Sequence, residues 1–406
     1  MPAPPCHAGT ITRPLRRFPY AASGRSLPRL LGVYVHFPFC ETRCPYCDFA
    51  TDARARIPHG AWADAVLAEL ELRAPLFSGP ISTIYFGGGT PGLWQPDCVA
   101  RVIRGVRERF GGAPEEVTLE ANPGDADVER YAALREAGVN RLSLGIQSLD
   151  DRFLRVLGRR HDAAQAKQAV RLARLAGLEN VSCDLMFALP EQTMDELSWD
   201  LAALVDLRPD HISAYTLTIE PATPFGALRR AGKLRTPTAD AAADMFDLVQ
   251  DTLQGAGFLR YEISNYALPG RRALHNTRYW TGADYLGLGS SAHSRRQAGE
   301  GVERWGTVAS ADAYLGAVAR AAAPEHAFPR DPLVAYFERL DAPAARRERV
   351  WLALRTTDGI ERDWLSGLEE RLAALIGAGL VEDRAGRVRL TRRGALLADE
   401  VAVRLM

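Results

Sequence analysis

Six short apolar runs, each followed by a segment of helical period, constrain this chain more than any other feature. LGVYVHF, ISTIYFGGG, EVTLEANP, RLSLGIQS, NVSCDLMFALP and HISAYTLTIEP follow one another from residue 31 onward. Their starts lie about 36 residues apart on average, close to the ~31 per unit of a barrel that fits eight repeats into ~250 residues. Strands this apolar are buried on both faces, and helical crossovers between them make the sheet parallel. The helix after RLSLGIQS shows the period well. Ala166, Ala169, Val170, Ala173 and Ala176 share one face, Asp162 stands at the cap, and Gly177 can take the left-handed conformation that ends the helix. Residues 31–260 are therefore predicted to form an α/β domain, a partial (β/α)6 barrel.

The flanking segments read differently. Residues 1–30 are Pro- and Arg-rich with no acidic residue, which predicts a disordered extension; the same composition also suits an organelle transit peptide. FLRYEISNYA predicts one more strand, and residues 261–345 read as a Gly/Ser/aromatic loop segment followed by a helical linker. Residues 346–406 give a helix (ERLAALIGAGL), a hairpin (VEDRAGRVRLT) with Gly386 in its turn, and a last helix (RRGALLADEVAVRL). That order is winged-helix-like. Acids and bases alternate along it without a basic face, which predicts a structural or partner-docking role rather than DNA binding. The whole chain carries a formal net charge of zero, and no run of about 18 apolar residues exists. Broad attraction to nucleic acid and a membrane span are both unexpected.

Chemistry concentrates in the spacing C-x3-C-x2-C of Cys40, Cys44 and Cys47, directly after the first strand and thus at its carboxyl end, where parallel α/β folds place their sites. Three thiolates can hold three irons of a cubic [4Fe-4S] cluster and leave the fourth iron open to a ligand. A zinc knuckle with His36 or Asp48 as fourth ligand is the competing reading. Structural zinc usually pairs two C-x2-C halves, and no second half exists here. The other cysteines, Cys6, Cys98 and Cys183, stand singly; Cys98 and Cys183 read as small buried hydrophobes. A chain without a disulfide framework fits a reducing cytoplasm.

The string YVHFPFCETRCPYCDF resembles the radical S-adenosylmethionine (SAM) superfamily, and within it the oxygen-independent coproporphyrinogen III oxidases and their relatives, the HemW heme chaperones. The resemblance runs from about residue 31 to the C-terminus. It implies SAM chelated by the open iron through its amino and carboxylate groups. It further implies that Gly88, Gly89 and Thr90 approach the methionyl end of SAM by their backbone. Tyr34 and Tyr46 would contact SAM and its adenine. Glu120, Gln147, Arg159 and Asp184, at or just after strand ends, match further SAM-contacting positions, with Glu120 and Arg159 joined in one network. Read without the resemblance, Gly87, Gly89 and Gly92 satisfy G-x-G-x-x-G, but Pro91 delays the helix that a dinucleotide site needs. HNTRYW, with His275, matches a motif that the HemW group associates with heme; His293 in GSSAHS is a second imidazole to consider. The oxidases carry a fourth cysteine two residues after the third, where this chain has Phe49. The resemblance therefore implies a heme chaperone passing heme to an acceptor protein, with coproporphyrinogen III dehydrogenase as the rival.

Overall fold

The protein, a computed structural model, is described over residues 30–125, 127–321 and 327–406. The expectations for the N-terminal extension and for Cys6 lie outside the described residues. Strands β1 (Leu31–Phe37), β2 (Ile81–Gly88), β3 (Glu116–Ala121), β4 (Arg141–Gln147), β5 (Val181–Phe187) and β6 (His211–Thr216) lie side by side, parallel and in chain order. Helices cross between them as the periodicity predicts; that of Ala163–Leu175 is capped by Asp162, whose carboxylate accepts from the Gln165 amide at 2.8 Å.

The register shows that the strands are not apolar on both faces. Val33, Val35, Ile84, Phe86, Val117 and Leu119 pack beneath the helices and are essentially inaccessible. Their neighbours, among them Tyr34, Tyr85, Glu120, Ser143, Asp184 and Ser213, occupy matching positions on the concave face. A closed barrel core is filled mainly by branched apolar side chains. Here polar residues line the lumen instead, which makes it a place to bind rather than a core.

Both edges of the sheet are extended. Where one strand was expected from FLRYEISNYA, two short ones form, β7 (Leu259–Arg260) and β8 (Asn265–Ala267), with β8 antiparallel to β6. Glu262 makes the break between them by accepting from the Ser264 amide at 2.9 Å. Beyond β1 lie β9 (Tyr285–Leu288), parallel to it, and then an antiparallel run of β10 (His293–Ala298), β11 (Gly301–Thr307) and β12 (Val334–Leu340). The result is an open sheet of twelve strands. These strands were not expected from residues 261–345, read as a loop segment and helical linker; the helix Ala311–Ala321 does form there. Arg304 pairs with Glu338 and Glu348 across one face, so charged residues stand where an apolar period would have marked the strands.

The C-terminal residues gather around a separate apolar cluster that includes Val350, Leu354, Leu372, Val388 and Leu405. The hairpin Val381–Arg384 and Arg387–Leu390 pairs with Ile360–Glu361 and turns at Ala385 and Gly386, whose φ values are +51° and +74°. Among the described residues, no helix is long and apolar enough to cross a membrane.

Candidate cofactor site

The cysteine loop sits at the carboxyl end of β1. Cys40 ends a two-residue strand paired with Asp52–Ala53, and the Cys47 amide donates to the Cys44 carbonyl at 3.1 Å. The loop is held from the opposite side of the barrel: the Phe225 amide donates to the Pro45 carbonyl at 3.0 Å, and Gly158, at φ +64°, leaves room for the Pro45 ring. Cys40 is buried, while Cys44 and Cys47 are partly open. Burial pushes the Cys40 thiol up to about 11, against the Thr90 hydroxyl 3.5 Å away, and raises Cys47 as well.

This donor set fits an iron–sulfur cube better than one zinc. His36, the proposed fourth zinc ligand, is spoken for: Nδ1 shares a hydrogen bond of 3.0 Å with the Tyr34 hydroxyl and Nε2 one of 3.0 Å with the Ala50 carbonyl. Asp48 is exposed to solvent. Among the described residues, no three His, Cys, Asp or Glu side chains converge on one ion position. A cube places each thiolate on a different iron, so it requires no such convergence.

Below the loop, the lumen wall carries two kinds of charge. Glu120 accepts from the Tyr85 hydroxyl at 2.6 Å and the Gly88 amide at 3.1 Å. Burial, with Asp184 nearby, pushes Glu120 up to about 7. Asp184, bonded by the Ser143 hydroxyl at 3.3 Å, is likewise raised by burial. Across from them, Arg159 donates to the Gly145 carbonyl at 2.9 Å, to the Asn122 amide oxygen, and toward the Cys44 sulfur at 3.6 Å. Among the described residues its Nε is buried with no partner, and no carboxylate pairs with its guanidinium. Glu120 and Arg159 do not touch each other directly, which leaves the space between them for the SAM that the expected network includes. Carboxylates raised by burial suit an ammonium or sulfonium, and an arginine without a carboxylate suits a carboxylate.

The hydrogen bonds of the glycine motif narrow which backbone groups are left to approach SAM. The amides of Gly88, Gly89 and Thr90 are all engaged, by Glu120, by the Phe37 carbonyl at 2.8 Å and by the Phe39 carbonyl at 2.9 Å. The Thr90 carbonyl accepts from the Leu93 amide at 2.9 Å, so the carbonyls of Gly88 and Gly89 are the ones left to meet a ligand. The glycines are needed for space: a Cβ at Gly87 would stand 2.8 Å from the Tyr85 ring and 3.0 Å from that of Tyr34. Residues Pro91–Leu93 form one 3-10 turn and the helix starts only at Pro96, so no helix N-terminus faces Gly87–Gly92. Gln147 ends β4 with φ +67°, and the turn after it is fixed by Asp200, which accepts from the Ser148 hydroxyl at 2.6 Å and the Leu149 amide at 2.7 Å. Tyr46 stands beside the ring of Phe225 at 6.3 Å and within 3.5 Å of Arg159. Sequence reasoning missed Tyr85, Asn122 and Asp200; the first two lie at the ends of strand patterns already recognised, whereas nothing local marks Asp200.

HNTRYW is a short helix, Leu274–Trp280, not a loop, and it closes the opposite end of the lumen. The Glu116 carboxylate accepts from the amides of Leu274 and His275 at 2.7 and 3.0 Å, satisfying two of the helix's unpaired donors. His275 is fully buried; its Nδ1 shares a hydrogen bond with the Thr83 hydroxyl at 2.9 Å and its Nε2 with the Tyr279 hydroxyl at 2.8 Å. Burial pushes the imidazole down to about 3. With both nitrogens bonded, His275 has none left for iron while the helix keeps this seat.

The description of the Radical SAM superfamily matches residues 34–204. Among solved structures, coproporphyrinogen III oxidase (HemN) from Escherichia coli, a radical SAM enzyme, superposes with a TM-score of 0.77 at 24% identity, over 93% of this chain and 90% of that one. The fold and its cysteine loop thus define a radical SAM protein. Similarity in sequence is closer elsewhere. The heme chaperone HemW of Mycobacterium tuberculosis is 39% identical over 92% of this chain and 94% of its own length. HemW of Escherichia coli is 40% identical over 65% and 70% respectively. The chain belongs to the HemW family.

Proposed function

We propose that this protein is a heme chaperone that binds heme together with a [4Fe-4S] cluster liganded by SAM, and passes heme to an acceptor protein. The observation that carries the reading is the likeness to HemW across nearly the whole of both chains. A second supports it: at the position where the oxidases place a fourth cysteine stands Phe49, 70% exposed on the cysteine loop. The rival, coproporphyrinogen III dehydrogenase, rests on the fold it shares with HemN. Cys40, Cys44 and Cys47 would hold three irons. A reduced cluster bound there supplies the electron that can break a carbon–sulfur bond of SAM. Arg159 would orient the carboxylate of SAM, Glu120 would accept from its amino group with the carbonyls of Gly88 and Gly89 beside it, and Thr90 would steady Cys40. Tyr34, Tyr46, Gln147 and Asp184 enclose the remainder. Cys98 and Cys183 are buried and in no disulfide, and the protein is read as cytoplasmic.

Hemin titration of the anaerobically reconstituted protein is expected to develop a shifted Soret band, whereas incubation with coproporphyrinogen, SAM and a reductant yields no protoporphyrinogen. Absence of the band together with steady turnover would transfer the assignment to the dehydrogenase.

SAM binding is also expected to release a proton near neutral pH. Glu120 is raised to about 7 in the ligand-free protein, and the sulfonium charge and amino N–H donors of bound SAM would lower that value. Below about pH 7 the carboxyl must give up its proton to bind, so affinity is up to about tenfold weaker per pH unit on acidification. Calorimetry in two buffers of different ionisation enthalpy measures the release. Glu120→Gln should reduce it to the share released by the amino group that binds iron; a wild-type enthalpy independent of buffer would contradict the assignment.

A further inference from the structure

The barrel mouth carries an imidazole of a different kind from His275. β9 runs parallel to β1, so the turn that follows it, Gly289–Ala292, lies at the same end of the barrel as the cysteine loop. That turn is firmly held: the Gly289 amide donates to buried Glu69 at 2.8 Å, the Ser291 amide to the Val308 carbonyl at 2.9 Å, and the Ala292 amide to the Thr307 hydroxyl at 3.0 Å. His293 emerges directly from it. In the register, His293, Gly306 and Tyr336 form one row across three strands. A Cβ at Gly306 would stand 2.4 Å from the Tyr336 ring, so the glycine lets Tyr336 lie over the middle strand and reach across it. The Tyr336 hydroxyl and His293 Nδ1 share a hydrogen bond of 2.8 Å. Nε2 makes no hydrogen bond within the described chain, and the ring is exposed.

We propose that His293 is the residue that ligates heme iron, through Nε2, with Tyr336 as the group that fixes its orientation. The proposal rests on the heme reading above and deepens it by naming the site. Iron-ligating histidines usually give their other ring N–H to a neighbouring acceptor, which sets the tautomer and the ring plane; the Tyr336 oxygen is placed to take that role. Partial burial, and after it the charge of Arg304, lower the imidazole's affinity for a second proton, which favours the neutral ring a ligand needs. The location also suits a protein that handles heme beside a cluster. His36 lies close enough to His293 for their charges to oppose each other, and it is bonded to Ala50, the residue after exposed Phe49. Heme on His293 would therefore lie against the cysteine loop, at the open end of the lumen, without any rearrangement of the barrel.

The test is hemin titration of the reconstituted full chain, followed by absorbance and by thermal shift. His293→Gly is expected to lose the imidazole-ligated Soret band and to weaken binding by more than about tenfold, and Tyr336→Phe by up to about tenfold. Free imidazole should restore the band in His293→Gly, and the apo-protein's melting temperature should stay unchanged because the side chain is exposed. A His293→Gly titration superimposable on wild type overturns the proposal, as does loss of the band in His275→Gln at an unchanged melting temperature. A wild-type protein that binds no hemin would instead overturn the chaperone reading itself.

Discussion

Replacing Cys44 by serine leaves the anaerobically reconstituted protein colourless, with its iron and sulfide content near zero. Three protein thiolates are the fewest that hold a cube with one open corner, so losing one leaves two. Nothing nearby can substitute: Cys98 and Cys183 are buried, on the helix Pro96–Phe110 and on β5. His36 has both nitrogens engaged. The fold should tolerate the change, because Cys44 is half-buried and its backbone bond to Cys47 remains. Stability is expected to stay within about 0.5 kcal/mol of wild type, as for most replacements at such sites. Iron analysis and the charge-transfer absorbance give the answer. A brown Cys44→Ser protein with unchanged iron would remove the cluster assignment, whereas Cys98→Ser should keep its full complement.

The second large effect falls on stability. His275→Ala is expected to destabilise the protein by about 3–5 kcal/mol, the sum of a cavity in a packed site and two hydroxyls left without a partner. Those hydroxyls belong to Thr83 on β2 and Tyr279 on the plug helix, and the ring also packs 5.2 Å from that of Tyr85. The pH dependence has a definite sign. Burial holds His275 at about 3, below its value in the unfolded chain. Its contribution is therefore whole above the ordinary histidine value of about 6.5. It is lost as pH falls toward the folded value, by up to about 1.4 kcal/mol per unit. Denaturant midpoints measured from pH 8 to pH 5 should fall more steeply for wild type than for His275→Ala. Equal slopes, or a variant as stable as wild type, would show that the helix does not plug the barrel. Any loss of heme in this variant would then have to be separated from loss of the fold, which the exposed His293 permits.

Six strands, their order and the helices over them could be read from the sequence because each depends on local pattern. Ala166, Ala169 and Val170 repeat with the helical period whatever lies around them, and Asp162 caps its helix through a contact three residues away. The Cys40–Cys44–Cys47 spacing is local in the same sense. The strands β10 to β12 were not legible, since the ion pairs of Arg304 with Glu338 and Glu348 join residues 34 and 44 positions apart. The same holds for the lumen. Sequence named Glu120 and Arg159 but not the groups that hold them in place: Tyr85 and Gly88 for Glu120, Asn122 and Gly145 for Arg159.

The chain by itself determined the α/β alternation, the cysteine loop and the strand ends that carry polar side chains, because hydrophobic period, capping and ligand spacing act over a few residues. Only the tertiary structure decided which charges meet and which stay open for a ligand, and which histidine is sealed in the floor of the barrel and which stands at its mouth. Those outcomes depend on strand register and on contacts between residues far apart in the chain, such as Thr83 with His275, 192 positions away, where burial rather than sequence sets each group's partners and charge.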